Sequence, residues 1–194
     1  MPLLNNILAF LPEVKKPTIR LTFSEKLKWT LLTLVAFFLL GVIPLYGLGA
    51  NALSQFEQLS VILGASFGSI LSLGIGPIVT ASIVLQLLAG SGILKLDTNS
   101  SEGRAHFQGL QKILTLFFIF FEASVYVFLG GLSPALELRG TPHFFTLQLL
   151  LILQLIIGGF LVMLMDDVIS KWGFGSGISL FIAAGVSTEI ILRA

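Results

Sequence analysis

Leu73-Gly74-Ile75-Gly76-Pro77-Ile78-Val79-Thr80-Ala81-Ser82-Ile83-Val84-Leu85-Gln86-Leu87-Leu88 is the stretch on which the fold turns. Apolar sequence runs on both sides of Gly74-Ile75-Gly76-Pro77, but neither side is an ordinary membrane span. Leu59 to Leu73 is diluted by Gly64, Ser66, Gly68, Ser69 and Ser72. Ile78 to Leu88 is strongly apolar yet short, because a helix needs roughly 20 residues to cross a bilayer. Backbone that leaves a helix at membrane depth carries unsatisfied N–H and C=O groups, so it survives only against protein or a water-filled cavity. Short apolar segments interrupted by Gly and Pro therefore point to a path through a membrane.

Composition agrees. Hydrophobic residues make up 55% and charged residues 11%, against about 25% charged in soluble domains. With no cysteine, disulfides, thiol catalysis and cysteine metal sites are excluded. A formal net charge of +1 gives no basic face for nucleic acid. His106 and His143 fall in loops expected on opposite sides of the membrane, so they share no metal. Gly173 to Gly177 lacks the Gly-Lys-Ser/Thr ending and the preceding strand of a phosphate loop. Nothing assembles a nucleophile, a base and an oxyanion site, so neither an enzyme nor a cofactor is expected.

Working outward, residues 1–21 form a cytoplasmic N-terminal segment. Leu3, Leu4, Ile7, Leu8 and Leu11 have helical spacing, which reads as an amphipathic surface helix or equally as a frayed terminus. Residues 22–194 hold five spans, at about 25–45, 56–94 broken at 74–77, 111–129, 144–165 and 174–191. Thr22 and Glu25 fit a capping box that starts the first. Residues 97–106 read as a solvated loop and Asp166 to Lys171 as a charged turn. Lys15, Lys16, Arg20, Lys26, Lys28, Lys95, Arg104, Lys112 and Lys171 fall on one side of this layout, and only Arg139 and Arg193 on the other. The positive-inside rule then places the N-terminus in the cytoplasm and the C-terminal end outside a multi-pass cell membrane protein. An odd number of spans means that a second copy following in the same chain would be inverted, the architecture of many transport proteins. The abrupt stop at Ala194 reads as one half of such a molecule.

The run from Gly74 to Leu88 closely resembles the start of the second half of span two in the SecY family of protein-conducting channels, of the archaeal and eukaryotic type. The resemblance continues through Gly90-Ser91-Gly92-Ile93, Phe107-Gln108-Gly109-Leu110-Gln111-Lys112, Ser170-Lys171-Trp172-Gly173-Phe174-Gly175-Ser176-Gly177-Ile178 and Leu180-Phe181-Ile182-Ala183-Ala184-Gly185. It implies an all-α membrane protein, the N-terminal half of an inverted-repeat channel, with span two split into a plug and a half-helix.

The resemblance also implies roles. Ile75 and Val79, with Ile178 and Ile182, match a ring of apolar side chains that constricts the pore. An aliphatic ring offers ions and water no hydrogen bonds, so a narrow one gates by dewetting. Ile75, Val79, Ser82 and Gln86 are spaced 4, 3 and 4 apart on one helix face. Leu59, Ile62, Leu63, Gly64, Phe67, Gly68 and Ile70 match the plug, Thr80, Ile83 and Leu87 one side of a lateral gate, and Gly74, Gly76 and Pro77 the hinge. Glu122, mid-span, would cost roughly 2.5–3.5 kcal/mol facing lipid, so a structural bond to a neighbouring helix is expected rather than a proton relay. Implied partners are a SecE-type subunit, a small third Sec subunit, a ribosome or other cytoplasmic driving partner, the C-terminal half of the same channel, the lipid bilayer, and signal sequences and nascent polypeptide as substrate. The function implied is a passive gated channel for secretion of unfolded polypeptide and lateral insertion of membrane proteins. A secondary transporter built on broken helices is the alternative, and it would need a polar pocket where this sequence offers aliphatics and glycines.

Overall fold

The computed structural model describes residues 14–18, 20–49, 68–93, 101–135 and 138–193, with backbone alone at 101–102 and 188–193. Five helices follow in order: α1 (Phe23–Val42), α2 (Gly76–Gly90), α3 (Ser101–Phe128), α4 (Pro142–Trp172) and α5 (Gly177–Arg193). Among the described residues the rest is turn and extended chain, with one antiparallel bridge between Pro44 and Ser69. Residues 103–128 and Pro142–Trp172 are each long and apolar enough to cross a membrane. α2 packs chiefly on α3, α3 on α4, and α4 also on α1 and α5.

Each boundary has a local cause. Thr22 N–H donates to Glu25 Oε2 at 2.9 Å, so the expected reciprocal cap opens α1. α1 stops at Val42, three residues short of the expected Leu45. Pro44 has no N–H to continue the ladder and pushes Ile43 out of the helical region, and Ile43 is extended at φ −76, ψ 111. Pro77 opens α2 within its first turn, where the missing N–H is an orphan in any case. α2 ends at Gly90 rather than reaching Leu94, followed by Gly92 at φ +75, a left-handed turn that glycine favours.

Two loop expectations are corrected. Residues 101–106 are helical, extending α3 well before the apolar span. Asp166 to Lys171 is also helical, because α4 runs on to Trp172. There Asp167 and Lys171, four residues apart, pair at 3.1 Å across one helical turn. α5 correspondingly starts at Gly177 rather than at Phe174.

Two apolar clusters form the core. One gathers Phe37, Leu71, Ile75, Ile78, Val162, Met163, Ile169 and Phe181, with Phe37 stacked on Phe181 at 4.6 Å. The other gathers Leu45, Leu73, Ile119, Ala123, Val127, Leu132, Leu151 and Leu155. At one end of the bundle the N-terminal chain is tied down. Asp167 Oδ2 accepts from Val14 N–H, Lys112 Nζ and Lys171 Nζ, while Lys171 Nζ also donates to Val14 C=O and Trp172 Nε1 to Lys15 C=O. Lys15, Lys112 and Lys171, all assigned to one side from sequence, thus meet at that end. Thr30 fastens the α4–α5 turn to α1 by accepting from Phe174 N–H at 3.1 Å.

Candidate pore and gate

The chain changes conformation at the expected hinge. Residues 68–75 run as turns and α2 begins at Gly76. Gly74 takes φ +53, a conformation costing an L side chain roughly 1–2 kcal/mol. A Cβ on Gly76 would stand 3.1 Å from Glu122 Oε2, so this glycine lets α2 approach α3 closely. Pro77, in the first turn of α2, is buried.

Ile75 is the residue before α2, 5% exposed, and its C=O accepts from both Ile78 and Val79 N–H at 3.1 Å. Val79 lies one turn on. Ile75 belongs to the first apolar cluster, and Val79 and, from α5, Ile178 pack against it. Three of the four expected ring residues thus border one apolar cluster, to which α1, α2, α4 and α5 all contribute. Ile182 stands one turn along α5, 41% exposed. Asp166 holds this end of α5 in place: its Oδ1 accepts from Ile178 N–H at 3.0 Å. No buried polar side chain of the described residues lacks a hydrogen-bond partner.

Two of the three expected gate residues face outward from α2, and the third turns to α3. Ile83 is 52% and Leu87 67% exposed, with Thr80 half-buried one turn before. Thr80 Oγ1 donates to Glu122 Oε1 at 3.3 Å, so the mid-span carboxylate is engaged across α2 and α3. Ser82, placed with the pore stripe from its spacing, accepts from Gln111 Nε2 at 2.6 Å and so turns partly toward α3. Of the expected plug, Gly68 and Ile70 are described. Leu59, Ile62, Leu63, Gly64 and Phe67 lie outside the described residues, as does the amphipathic stretch Leu3 to Leu11.

No role was expected from sequence for Gln154 or Gly158, Gln111 stood only within a run of family resemblance, and Asp166 was expected only in a charged turn. Gln154 is polar at the centre of an apolar span and Gly158-Gly159 is a small pair in the same run, signals that could have found them. Gly159 seats Ile119 of α3, and at Gly158 the carbonyl of Ile70 takes the space of a Cβ.

Comparison with known proteins bears on this arrangement. The SecY family model matches residues 69–194, and the model of the plug domain of Sec61p matches residues 35–68. The protein translocase subunit SecY of Methanothermobacter thermautotrophicus is 56% identical over 188 residues, covering 97% of this chain and 40% of the relative. That of Pyrococcus horikoshii is 46% identical over 183 residues, covering 94% and 38%. The chain thus spans about two-fifths of the length of these curated relatives. A solved protein-conducting channel superposes with a TM-score of 0.84 at 44% identity, over 97% of this chain and 42% of that one. A chain described as Sec61 in the canine ribosome-channel complex gives the same values. A third structure, 44% identical with a TM-score of 0.83 over 97% and 41% of the two chains, is described as showing that the SecY plug domain stabilises the closed channel and maintains a membrane seal. These matches along almost the whole length place this chain in the SecY family.

Proposed function

We propose that this chain is the N-terminal, five-span half of the pore subunit of a protein translocase, a passive gated channel for unfolded polypeptide with a lateral exit for apolar segments. The observation that carries the reading is that Ile75, Val79 and Ile178 all border one apolar cluster where α2 begins. With Ile182 and the facing residues of an inverted C-terminal half, they form a ring that dewets when narrow and deforms around a passing chain. Leu59, Ile62, Leu63, Gly64, Phe67, Gly68 and Ile70 form the plug. Thr80, Ile83 and Leu87 line the lateral gate, Gly74, Gly76 and Pro77 are the hinge at the break in span two, and Glu122 braces α2 against α3.

The chain carries no chemistry of its own in this reading, so energy comes from a partner. A ribosome is the first candidate, by analogy with the channel complex above, and a SecE-type subunit and a small third subunit complete the assembly. The protein sits in the cell membrane with the Lys-rich end, where Asp167 gathers Lys112 and Lys171, in the cytoplasm.

Photocrosslinkers at Ile75, Val79, Ile178 and Ile182 test the pore in the full-length, reconstituted channel. A stalled secretory chain should be captured at all four, and a signal peptide at Thr80, Ile83 or Leu87. Capture at none of the four would reject the ring.

A further inference from the structure

Outside the ring and gate, two non-helical pieces of chain meet on α4. Residues 43–45 and 68–70 pair antiparallel, with Leu45 N–H donating to Gly68 C=O at 2.8 Å and Ile70 N–H to Ile43 C=O at 3.0 Å. One stripe of α4, Leu147, Leu151, Gln154 and Gly158, spaced 4, 3 and 4 apart, receives them. Leu147 Cδ2 lies 3.0 Å from where a Cβ on Gly47 would stand, and Leu151 is fully buried in the cluster holding Leu45. Gln154 uses both ends of its carboxamide on one residue. Its Oε1 accepts from Tyr46 N–H at 3.0 Å and its Nε2 donates to Tyr46 C=O at 3.2 Å. At Gly158 the Ile70 carbonyl fills the place of a side chain.

This geometry has a physical reason. Tyr46 lies just beyond the bridge, and backbone at membrane depth must find partners within the protein. A primary carboxamide presents one acceptor and one donor side by side, as a neighbouring strand would. Gln154 thus satisfies the departing chain at Tyr46, and four residues on Gly158 admits the returning chain at Ile70. The two pieces of chain are the entry to and exit from the segment 50–67, which falls in the region matched by the plug domain.

We propose that Gln154 and Gly158 are positioning residues that hold the base of the plug loop on α4 and thereby set the seal of the idle channel. This rests on the plug reading above. The test uses the full-length channel with its partner subunits in planar bilayers, without substrate. Q154L removes both bonds to Tyr46, and G158A displaces the Ile70 carbonyl. Idle ion conductance should rise about tenfold in Q154L, the scale expected for two lost neutral hydrogen bonds, and at least as much in G158A. If G158A fails to assemble, Q154L carries the test alone. T30A removes the bond that fastens the α4–α5 turn to α1, away from the loop base. It should lower the unfolding midpoint while conductance stays at the wild-type level. Wild-type conductance in Q154L, or equal leakage in T30A, would overturn the assignment. Deleting residues 57–66 separates the two ideas. If that channel leaks and Q154L does not, the α4 assignment falls and the plug stands; if the deletion leaves conductance unchanged, both fall.

Discussion

A carboxylate in the middle of an apolar span is an expense unless something faces it, and at Glu122 that something is Thr80. The bond spans α2 and α3 at 3.3 Å, and Gly76 keeps the two helices close enough for it. Interhelical hydrogen bonds within membranes are worth about 0.6 kcal/mol on average, so Glu122 acts as a brace of modest strength. Replacing it by Gln keeps an acceptor for Thr80. E122Q is therefore expected to transport within about threefold of wild type, the factor that energy represents, in a reconstituted translocation assay; complete loss would point to proton transfer instead. Its place in the middle of an apolar run made Glu122 conspicuous but could not name its partner, since any of the other four helices could have supplied one. Ser82 teaches the same limit: its place on the pore stripe followed from 3.6-residue periodicity, yet its hydroxyl is taken by Gln111.

Elements were legible where one residue dominates locally. Thr22 with Glu25, Pro77 and the apolar runs of α3 and α4 announced themselves. Pro44 also marked the end of α1, and the apolar character of Leu45 masked it. The charged stretch after Met165 misled because polarity was read as loop, whereas Asp167 and Lys171 support helix at i, i+4. Asp166 has a separate duty as the acceptor at the start of α5. D166A should cost about 0.5–2 kcal/mol, the range for loss of a helix N-cap, measurable as a lower unfolding midpoint. D166N should retain most of it, because the amide oxygen still accepts from Ile178. Gly74 belongs to this scale too. With φ at +53, G74A should destabilise the break by about 1–2 kcal/mol, read by the same measurement.

At the scale of the molecule, the packing order was the part that sequence left open. Nothing in the periodicity said that α4 would serve as the central post, touching α1, α3 and α5, or that the N-terminal chain would return to it. Asp167 gathers a backbone amide and two lysines at about 3 Å. D167A leaves those cations without their common acceptor, at a cost of about 1–3 kcal/mol. The expected signature is local: hydrogen exchange at the Val14 amide should accelerate sharply, while amides in the centre of α4 stay protected. Equal acceleration at both would place the loss in the whole bundle rather than in this tether.

The bridge between Pro44 and Ser69 has one more implication, for how this protein tolerates change over evolutionary time. Because departure and return points are already fastened side by side, the number of residues strung between them is nearly a free variable; doubling it adds only about 0.6 kcal/mol of closure entropy. Changes of length there should therefore cost the fold little even where, as in the 57–66 deletion, they cost the seal.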